Sequence, residues 1–444
     1  MFKMGYCWTA AKQEVYAKSI SRSLSNKSLG RYCTVEHLSV LRTLYSANVT
    51  EAIAPYIKED YNFEYLRDNA IELLGKLDDA ASFKALTDAF SDERVRVAIY
   101  AIRRRLRDLP TSRIIEVLDA PLHSKLVAVQ KVAIRHIADF GDEAAYAVLH
   151  QLRQGTILHP DVEAEWLRAM FRFLEMRETW DVLLSAAKSS SCVVAMTLTG
   201  VPDDTLVEDW QHVCLNHLFA QLLSHEDPCV VLTLLKRLEK RPLRRDAEVV
   251  PSLFHLLKLL PNKEFLGPIV CALASSSADV NDVASAFVSV RPQSQLHTIA
   301  DVIVKLPWED HGRFESIAVA FFNALLENRC QAAAACRLIC KLLKDFMRHL
   351  NEVLEKGLLH AGAVHEILQR LRCSVEDVAV CDAAEEQLRH HANPYMQRIG
   401  LEMLRLAASS SCWNERRRKA LGVYCNASDA WVRDDANMLN LPAE

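Results

Sequence analysis

Two clusters of basic side chains are the groups in this sequence best suited to bind a charged partner. Arginine and lysine side chains bind carboxylate and phosphate groups through charge-assisted hydrogen bonds. In the last turn of a helix the same side chains also interact favourably with the helix dipole, by about 0.3–1 kcal/mol each. The sequence leaves both roles open. The candidate binding residues are Arg103, Arg104, Arg107, Lys236, Arg237, Lys240 and Arg241.

Residue patterns for catalysis or metal binding are absent from the sequence. It has no G-x-x-x-x-G-K-[ST] or G-x-G-x-x-G phosphate loop, no H-E-x-x-H motif and no G-x-S-x-G elbow. Cys336 and Cys340 lie four residues apart, and His212, Cys214 and His217 are close neighbours. A zinc site needs four converging ligands, usually including a short cysteine knuckle, and neither group offers a second one. We therefore predict no catalytic residue, no metal site and no cofactor.

The overall charge argues against a dedicated nucleic-acid-binding protein. The 444 residues include 53 basic and 57 acidic side chains, with a formal net charge of −4. Nucleic-acid-binding proteins are usually more basic, so binding to DNA or RNA would need a local patch. Thirteen cysteines, mostly in apolar stretches, are typical of reduced thiols in a cytosolic protein. With no signal-like start and no apolar run near 20 residues, we expect a cytoplasmic protein without membrane association.

Amphipathic helices are the elements that must position the basic clusters. The chain has only 12 glycines and 14 prolines, which disfavours a β-rich fold with many turns. Apolar residues in two alternating series of segments repeat at steps of 28–36 residues. The first series aligns at Ile71, Ile99, Ile134 and Met170, and the second at Leu86, Leu118, Leu149 and Leu183.

This repetition predicts the fold class. Two series with one period indicate a helix–turn–helix unit that is repeated at least four times. One such pair cannot bury the apolar side chains on both of its faces, whereas a stack of pairs can. We therefore predict an all-α protein, an α-solenoid of stacked antiparallel helix pairs with a more irregular middle section.

The turns contain a motif with a known counterpart. Asp-x-x-Val-Arg precedes a helix at Asp92–Arg96 and again at Asp429–Arg433. On these residues the chain resembles HEAT repeats of the short bacterial type, over about 61–190 and 390–435. The resemblance implies that the aspartate and arginine of the motif tie adjacent repeats together. It also implies a protein whose concave face binds other macromolecules.

The composition along the chain suggests five segments. The first segment is basic and is expected to form a helix or cap, while dense prolines mark the middle of the chain as irregular. The predicted segments are 1–34 (basic N-terminal helix or cap), 35–192 (regular HEAT-like repeats), 193–208 (loop or solenoid break), 209–345 (irregular helical repeats) and 346–444 (C-terminal HEAT-like repeats and cap).

The leading hypothesis for function is a non-catalytic scaffold, adaptor or sensor. In this hypothesis the concave face of the solenoid binds a protein partner, and the chain can serve as a module of a larger assembly. No small-molecule cofactor and no membrane are involved. Trp166, Trp180 and Trp210 are then packing residues rather than recognition residues.

The alternative hypothesis is nucleic-acid binding. Stacked repeats would bring Arg103 and Arg107 into one concave strip with Lys236 and Lys240, which would bind phosphates. A Trp-Asp element at 180–181 resembles one in alkylpurine DNA glycosylases built from HEAT-like repeats. The glycosylase-like version of this hypothesis would make the protein an enzyme.

Overall fold

Contacts between helices divide the protein into two compact units, Met1–Gln211 and His212–Glu444. In the residues described, the computed structural model contains helices and turns and no strand. None of the helices in these residues is long and apolar enough to cross a bilayer. The described residues are 9–24, 31–41, 44, 50–58, 64–154, 157–241, 246–259, 263–292, 294–306, 312–327, 332–339, 346–374 and 378–439.

The first unit consists of short helices joined by tight turns. In the described residues, short 3₁₀ segments extend or follow them at Ala54–Ile57, Ala89–Ser91 and Phe171–Phe173. The α-helices are α1 (Ala10–Leu24), α2 (Arg31–Leu41), α3 (Thr50–Ile53), α4 (Glu64–Leu74), α5 (Ala80–Asp88), α6 (Val95–Ala101), α7 (Arg103–Leu106), α8 (Thr111–Leu122), α9 (Val127–Ala138), α10 (Glu143–Arg153), α11 (Pro160–Met170), α12 (Arg177–Ala186) and α13 (Cys192–Leu198).

Alternate helices of this unit stack on one another, as the solenoid prediction requires. Helices α4, α6, α9, α11 and α13 form a first series in which each packs on the next, and α8 packs on α10 in the second layer. The aligned residues of both sequence series, Ile71 to Met170 and Leu86 to Leu183, are fully buried. The predicted all-α solenoid and its repeat register are therefore confirmed.

Aspartates at the turns both cap helices and connect neighbouring repeats. Asp79 and Asp142 are the N-cap residues of α5 and α10, and each accepts a hydrogen bond from a backbone N–H of the first turn. Each also accepts a hydroxyl hydrogen bond from the preceding repeat, Asp79 from Thr50 at 2.7 Å and Asp142 from Thr111. One carboxylate therefore fixes the start of a helix and its position against the repeat before it.

The tie implied by the Asp-x-x-Val-Arg motif is wrong in its details. The partner of Asp92 is Arg94, not Arg96, which lies further along on the exposed side of α6. Arg94 is next to the carboxylate in the turn, and its Nη1 donates to the Ile57 carbonyl at 2.7 Å, 37 residues upstream. This bond does connect repeats. In the second copy of the motif, Arg433 donates to the nearby Ala427 carbonyl at 3.1 Å.

The second unit continues the alternating arrangement. Its first series, α15, α17, α19, α21, α23, α25 and α27, has each helix packed on the next, and α18 packs on α16 and α20. An irregularity of the predicted middle section is Pro268, which lies inside α17.

The helices of the second unit begin with α14, which contains the boundary between the units. They are α14 (Asp209–Leu222), α15 (Pro228–Lys240), α16 (Val249–Leu259), α17 (Lys263–Ser275), α18 (Val280–Ser289), α19 (Gln295–Lys305), α20 (Gly312–Glu327), α21 (Ala332–Ile339), α22 (Phe346–Glu355), α23 (Ala361–Ser374), α24 (Val378–Leu388), α25 (Pro394–Ser410), α26 (Glu415–Cys425) and α27 (Ala430–Asn437).

The segment 193–208 was predicted to be a loop or a solenoid break, and the loop is wrong in its first part. Residues Cys192–Leu198 form α13, whose N-cap is Ser191, and α13 packs on α11. Val194 and Leu198 are fully buried, so apolar burial outweighs the low helix propensity of β-branched residues here. Non-helical backbone follows over 199–208.

The predicted N-terminal segment 1–34 is only partly described. Residues 1–8 and 25–30, with Lys3 and Lys27, lie outside the described part. Helix α1 covers much of the remainder and packs on α2 and α3. Its buried residues include Ala17, Ile20 and Leu24, which lie three or four positions apart and form one face of the helix.

The buried leucines of the second layer provide a test of the stacking. We expect Leu118→Ala to lower the free energy of unfolding by about 2–5 kcal/mol, because the cavity left in a packed layer closes only partly. Urea unfolding followed by circular dichroism measures the change. Val207→Ala is the control, since Val207 is 85% exposed, and should change stability by less than about 0.5 kcal/mol. Equal losses in the two variants would contradict the layered core.

Candidate functional site

Charged side chains from three successive first-series helices line up on one surface of the first unit. The helices are α6 with its continuation α7, α9, and α11 with the 3₁₀ segment Phe171–Phe173 that follows it. The residues recur three or four positions apart on each, as one face of a helix requires. We call this surface the arginine face. Its residues are Arg96, Tyr100, Arg103, Lys131, Arg135, Asp139, Glu165, Arg168 and Arg172.

The first row of the arginine face is centred on a buried carboxylate. Glu165 on α11 accepts hydrogen bonds from Arg135 on α9, with 2.7 Å between Nη2 and Oε2, and from Arg168 at 3.1 Å. The Glu165 side chain is only 6% exposed, whereas about half of each arginine side chain faces solvent. Arg168 also contacts Thr197 on α13, with 3.4 Å between Nη2 and Oγ1. A single carboxylate therefore holds two exposed guanidinium groups in place.

The ionisation of Glu165 follows from this geometry. Burial on its own would raise the pKa of the Glu165 carboxyl. The hydrogen bonds and charge of Arg135 and the charges of Arg168 and Lys131 outweigh burial, so the pKa of Glu165 lies below its ordinary value. Glu165 is accordingly a carboxylate at neutral pH.

A second row repeats the arrangement with a more exposed carboxylate. Asp139, at the end of α9, lies 3.5 Å from Arg103 and 3.1 Å from Arg172, measured between guanidinium nitrogen and carboxylate oxygen. Asp139 follows Arg135 by four residues, and Arg172 follows Arg168 by four, so the two rows are one helical turn apart. Tyr100, which is 58% exposed, lies on α6 between Arg96 and Arg103.

Charges on the arginine face do not balance. Each row contains two arginines and one carboxylate, and Arg96 and Lys131 add two further positive charges. Half-exposed arginines present several N–H donors in a planar fork that fits carboxylate oxygens. The surface can therefore bind anionic groups.

The flanks of the arginine face differ from its centre. On one side lies α4, where the repeat register places Glu72 at the position of Tyr100 and Asp68 at that of Arg96. On the other side lies α13, which exposes Val193. The positive surface is thus bounded by acidic residues on one side and by an apolar side chain on the other.

Of the predicted binding residues in the first unit, only Arg103 contributes to these rows. Arg104 lies 3.3 Å from the Asp78 carboxylate, which also binds Arg105 at 3.2 Å. Arg107 is exposed at the end of α7. Arg104 is thus paired with the turn that follows α4 rather than with the rows.

The other predicted binding residues lie on α15, in the second unit. Lys236, Lys240 and Arg241 are exposed, while the Arg237 guanidinium lies over the Phe219 ring at 4.9 Å from its centroid. Arg237 therefore makes a cation–π contact within its own unit. The single strip that joins this cluster to Arg103 stays a prediction.

Sequence inspection missed the arginines that complete the rows. Arg135, Arg168 and Arg172 are separated in sequence and form no cluster there. The repeat register indicates which residues share a surface, because Arg135 follows the aligned Ile134 just as Tyr100 follows Ile99. Ranking basic residues by repeat position rather than by local density would have found Arg135.

The second unit contains a related contact that is largely shielded. Arg337 on α21 binds Asp301 on α19 at 2.8 Å and Glu366 on α23 at 3.0 Å, so it connects three successive helices. The side chains of these three residues are 16%, 31% and 21% exposed. With two carboxylates around one arginine, this cluster stabilises the stacking and offers little positive charge to a partner.

Another run of basic residues, at 416–419, makes contacts that stabilise the packing of the second unit. Arg417 is buried and donates from Nη2 to Asp382 at 2.8 Å, and from Nη1 to the Cys412 carbonyl at 2.7 Å. Arg416 lies 3.0 Å from Glu386. Both contacts join α26 to α24.

Two of the tryptophans considered for recognition are packing residues, as expected. Trp166 and Trp180 are buried, and their indole N–H groups donate to the Leu149 and Leu174 carbonyls at 2.6 and 2.8 Å. A buried Trp180 ring has no face open to a nucleobase. The Arg177 guanidinium lies over the ring of Trp210, 4.9 Å from its centroid, in a cation–π contact.

The candidate metal ligands are not brought together in the part of the chain that the structure describes. Cys340 lies outside it, as does the side chain of Cys336 within α21. His212 is buried, and His217 Nδ1 lies 2.9 Å from a Glu248 carboxylate oxygen. A search of these described residues finds no group of three or more histidine, cysteine, aspartate or glutamate side chains placed to hold a metal ion.

Comparisons with known proteins concern the fold alone. No protein-family model and no curated protein matches the sequence. The structure of Kap121p is 11% identical, with a TM-score of 0.34, and the match covers 96% of this chain and 51% of Kap121p. This chain therefore spans about half the length of Kap121p.

Two further solved structures are similar at the same low level. One concerns a phosphorylation switch in the interaction between cadherin and beta-catenin; it is 12% identical, with a TM-score of 0.29, and 95% of this chain and 97% of that chain are covered. The other concerns tubulin recruitment by microtubule polymerases with TOG domain arrays; it is 11% identical, with a TM-score of 0.27 and coverages of 94% and 98%.

The shared carboxylate of the first row can be tested through the pH dependence of stability. The pKa of Glu165 is lowered in the folded state. The Glu165 carboxylate therefore stabilises the fold fully above the unfolded-state pKa of about 4.3, and this stabilisation is lost as the pH falls through the folded-state pKa. We expect Glu165→Gln to lower the free energy of unfolding by about 1.5–3 kcal/mol at neutral pH. The difference from wild type should shrink towards about pH 3, as measured by urea unfolding at each pH.

The control for this experiment is Glu116→Gln on α8, where the carboxylate is exposed beside Arg113. An exposed ion pair contributes at most about 1 kcal/mol. A Glu165→Gln deficit that stays constant from neutral to acidic pH would show that the carboxylate charge is not the source of the stabilisation.

Proposed function

We propose that this protein is a non-catalytic interaction scaffold whose first unit binds a partner protein through the arginine face. The observation that carries this proposal is the alignment of exposed charged residues from three helices into two rows. Stacked repeats provide extended surfaces of this kind, on which side chains far apart in sequence act together.

The rows are also preorganised. Glu165 and Asp139 each hold two guanidinium groups, so a partner need not order four free arginine side chains when it binds. Ordering a long side chain at an interface costs about 0.5–1.5 kcal/mol. Shared carboxylates thus reduce the entropic penalty of association.

A protein is favoured over a nucleic acid as the partner because the positive surface is short. It is bounded at α4 by Glu72 and Asp68, which would repel a phosphate backbone that continued past α6. The chain as a whole carries a net charge of −4. These features suit a partner that contacts three helices.

We also propose that the protein acts in the cytoplasm. Cys229 and Cys412 are exposed free thiols. Exposed free thiols are kept reduced in the cytosol and would be oxidised in secretory compartments.

Photo-crosslinking in living cells tests the proposed function. Tyr100 is half-exposed on the arginine face, so p-benzoylphenylalanine in its place should be tolerated. We expect illumination to yield a crosslinked species that protease removes and nuclease does not, and that the Arg168→Glu, Arg172→Glu double variant loses. Gel mobility and mass spectrometry identify the species.

The matched control places the same crosslinker at Ile157, which is 95% exposed between α10 and α11. Identical adducts from both positions would contradict a specific face. A nuclease-sensitive adduct from position 100 would instead support the nucleic-acid alternative.

A further inference from the structure

We infer that the arginine face recognises an acidic, extended segment of its partner, in which aspartate or glutamate residues alternate with other residues. This inference rests on the proposed function and names the chemistry of the partner. It follows from the charge, the available donors and the spacing of the two rows.

The charge of the rows selects an anionic segment. Each row leaves one positive charge after pairing, and Arg96 and Lys131 bring the excess on the face to four. A carboxylate placed between two such arginines is attracted by both, whereas an apolar segment would desolvate the guanidinium groups without compensating their excess charge, and a cationic segment would be repelled.

Donors remain available on the second row. Among the residues that the structure describes, the side-chain hydrogen bonds of Arg103 and Arg172 use only Nη2 of each, and both go to Asp139. About half of each side chain is exposed, so the remaining N–H groups face solvent. An incoming carboxylate can therefore bind these arginines without displacing Asp139.

The spacing of the arginines along the second row suits an extended strand. Neighbouring packed helices lie about 8–10 Å apart. Side chains on one side of an extended strand recur about every 6.5–7 Å. Arg103 and Arg172 both reach towards Asp139, which brings their guanidinium groups closer together than the helices that carry them. Alternate residues of a strand that runs along the second row can therefore meet these two arginines.

Fluorescence anisotropy with a synthetic peptide tests this inference. The probe is a fluorescein-labelled dodecapeptide of alternating glutamate and serine, titrated with the full chain at about 50 mM salt. We expect saturable binding that weakens as salt rises and that falls about tenfold or more in the Arg168→Glu, Arg172→Glu variant. A peptide with its six glutamates in one block should bind more weakly, because only alternate residues face the rows.

Two further variants separate binding from folding. Arg103→Gln with Arg172→Gln removes the second row without adding negative charge beside Glu165, and should still weaken binding several-fold while circular dichroism stays unchanged. Lys236→Glu with Lys240→Glu makes the same charge change on exposed residues of α15 in the second unit. Its affinity for the peptide should remain within about twofold of wild type.

Several outcomes would overturn the inference. These are no binding of the peptide to the wild-type chain, equal binding by the arginine variants, or tighter binding of a twelve-nucleotide oligodeoxythymidylate through the same arginines. If the peptide fails but the Tyr100 protein crosslink persists, the acidic chemistry is wrong and the scaffold function stands. If the crosslink also fails, both proposals fall.

Discussion

Burial of two apolar faces per helix pair is the constraint on which the rest of this structure depends. Within one pair, Ile134 on α9 and Leu149 on α10 are both fully buried, and two short helices cannot shield both residues from water alone. Stacking solves this problem by placing the next pair against the exposed face. Because the hydrophobic effect is non-directional, polar contacts at the turns add directional constraints to the stack.

Polar contacts between repeats supply those constraints, and they also shape the surface. Asp79 and Asp142 each cap a helix while accepting a hydroxyl from the preceding repeat. On the first series of helices, arginine–carboxylate contacts cross from one helix to the next in both units. Where carboxylates outnumber arginine, as around Arg337, the contact is mainly structural. Where arginines outnumber carboxylates, as around Glu165, positive charge is left for a partner.

Different parts of the protein were predictable for different reasons. The repeat register could be read from aligned apolar residues such as Ile99 and Leu118, because burial in a solenoid repeats with the unit. The helix Cys192–Leu198 falls in the predicted loop or solenoid break, because the nearby Pro202 suggests irregular backbone whereas burial of Val194 favours a helix. Local propensity is a weak guide wherever tertiary packing opposes it.

The sequence by itself determined the fold class and the repeat register, because apolar periodicity is a local property that stacking only completes. It also marked Arg103 as a candidate, since dense basic residues are visible along the chain. Only the tertiary structure decided which basic residues share a surface. Arg135 and Arg172 join Arg103 because α9 and α11 stack beside α6, and such distances in space have no counterpart in local sequence density. The tertiary structure likewise pairs Arg104 with Asp78, in the turn between α4 and α5, so that Arg104 does not join the two rows.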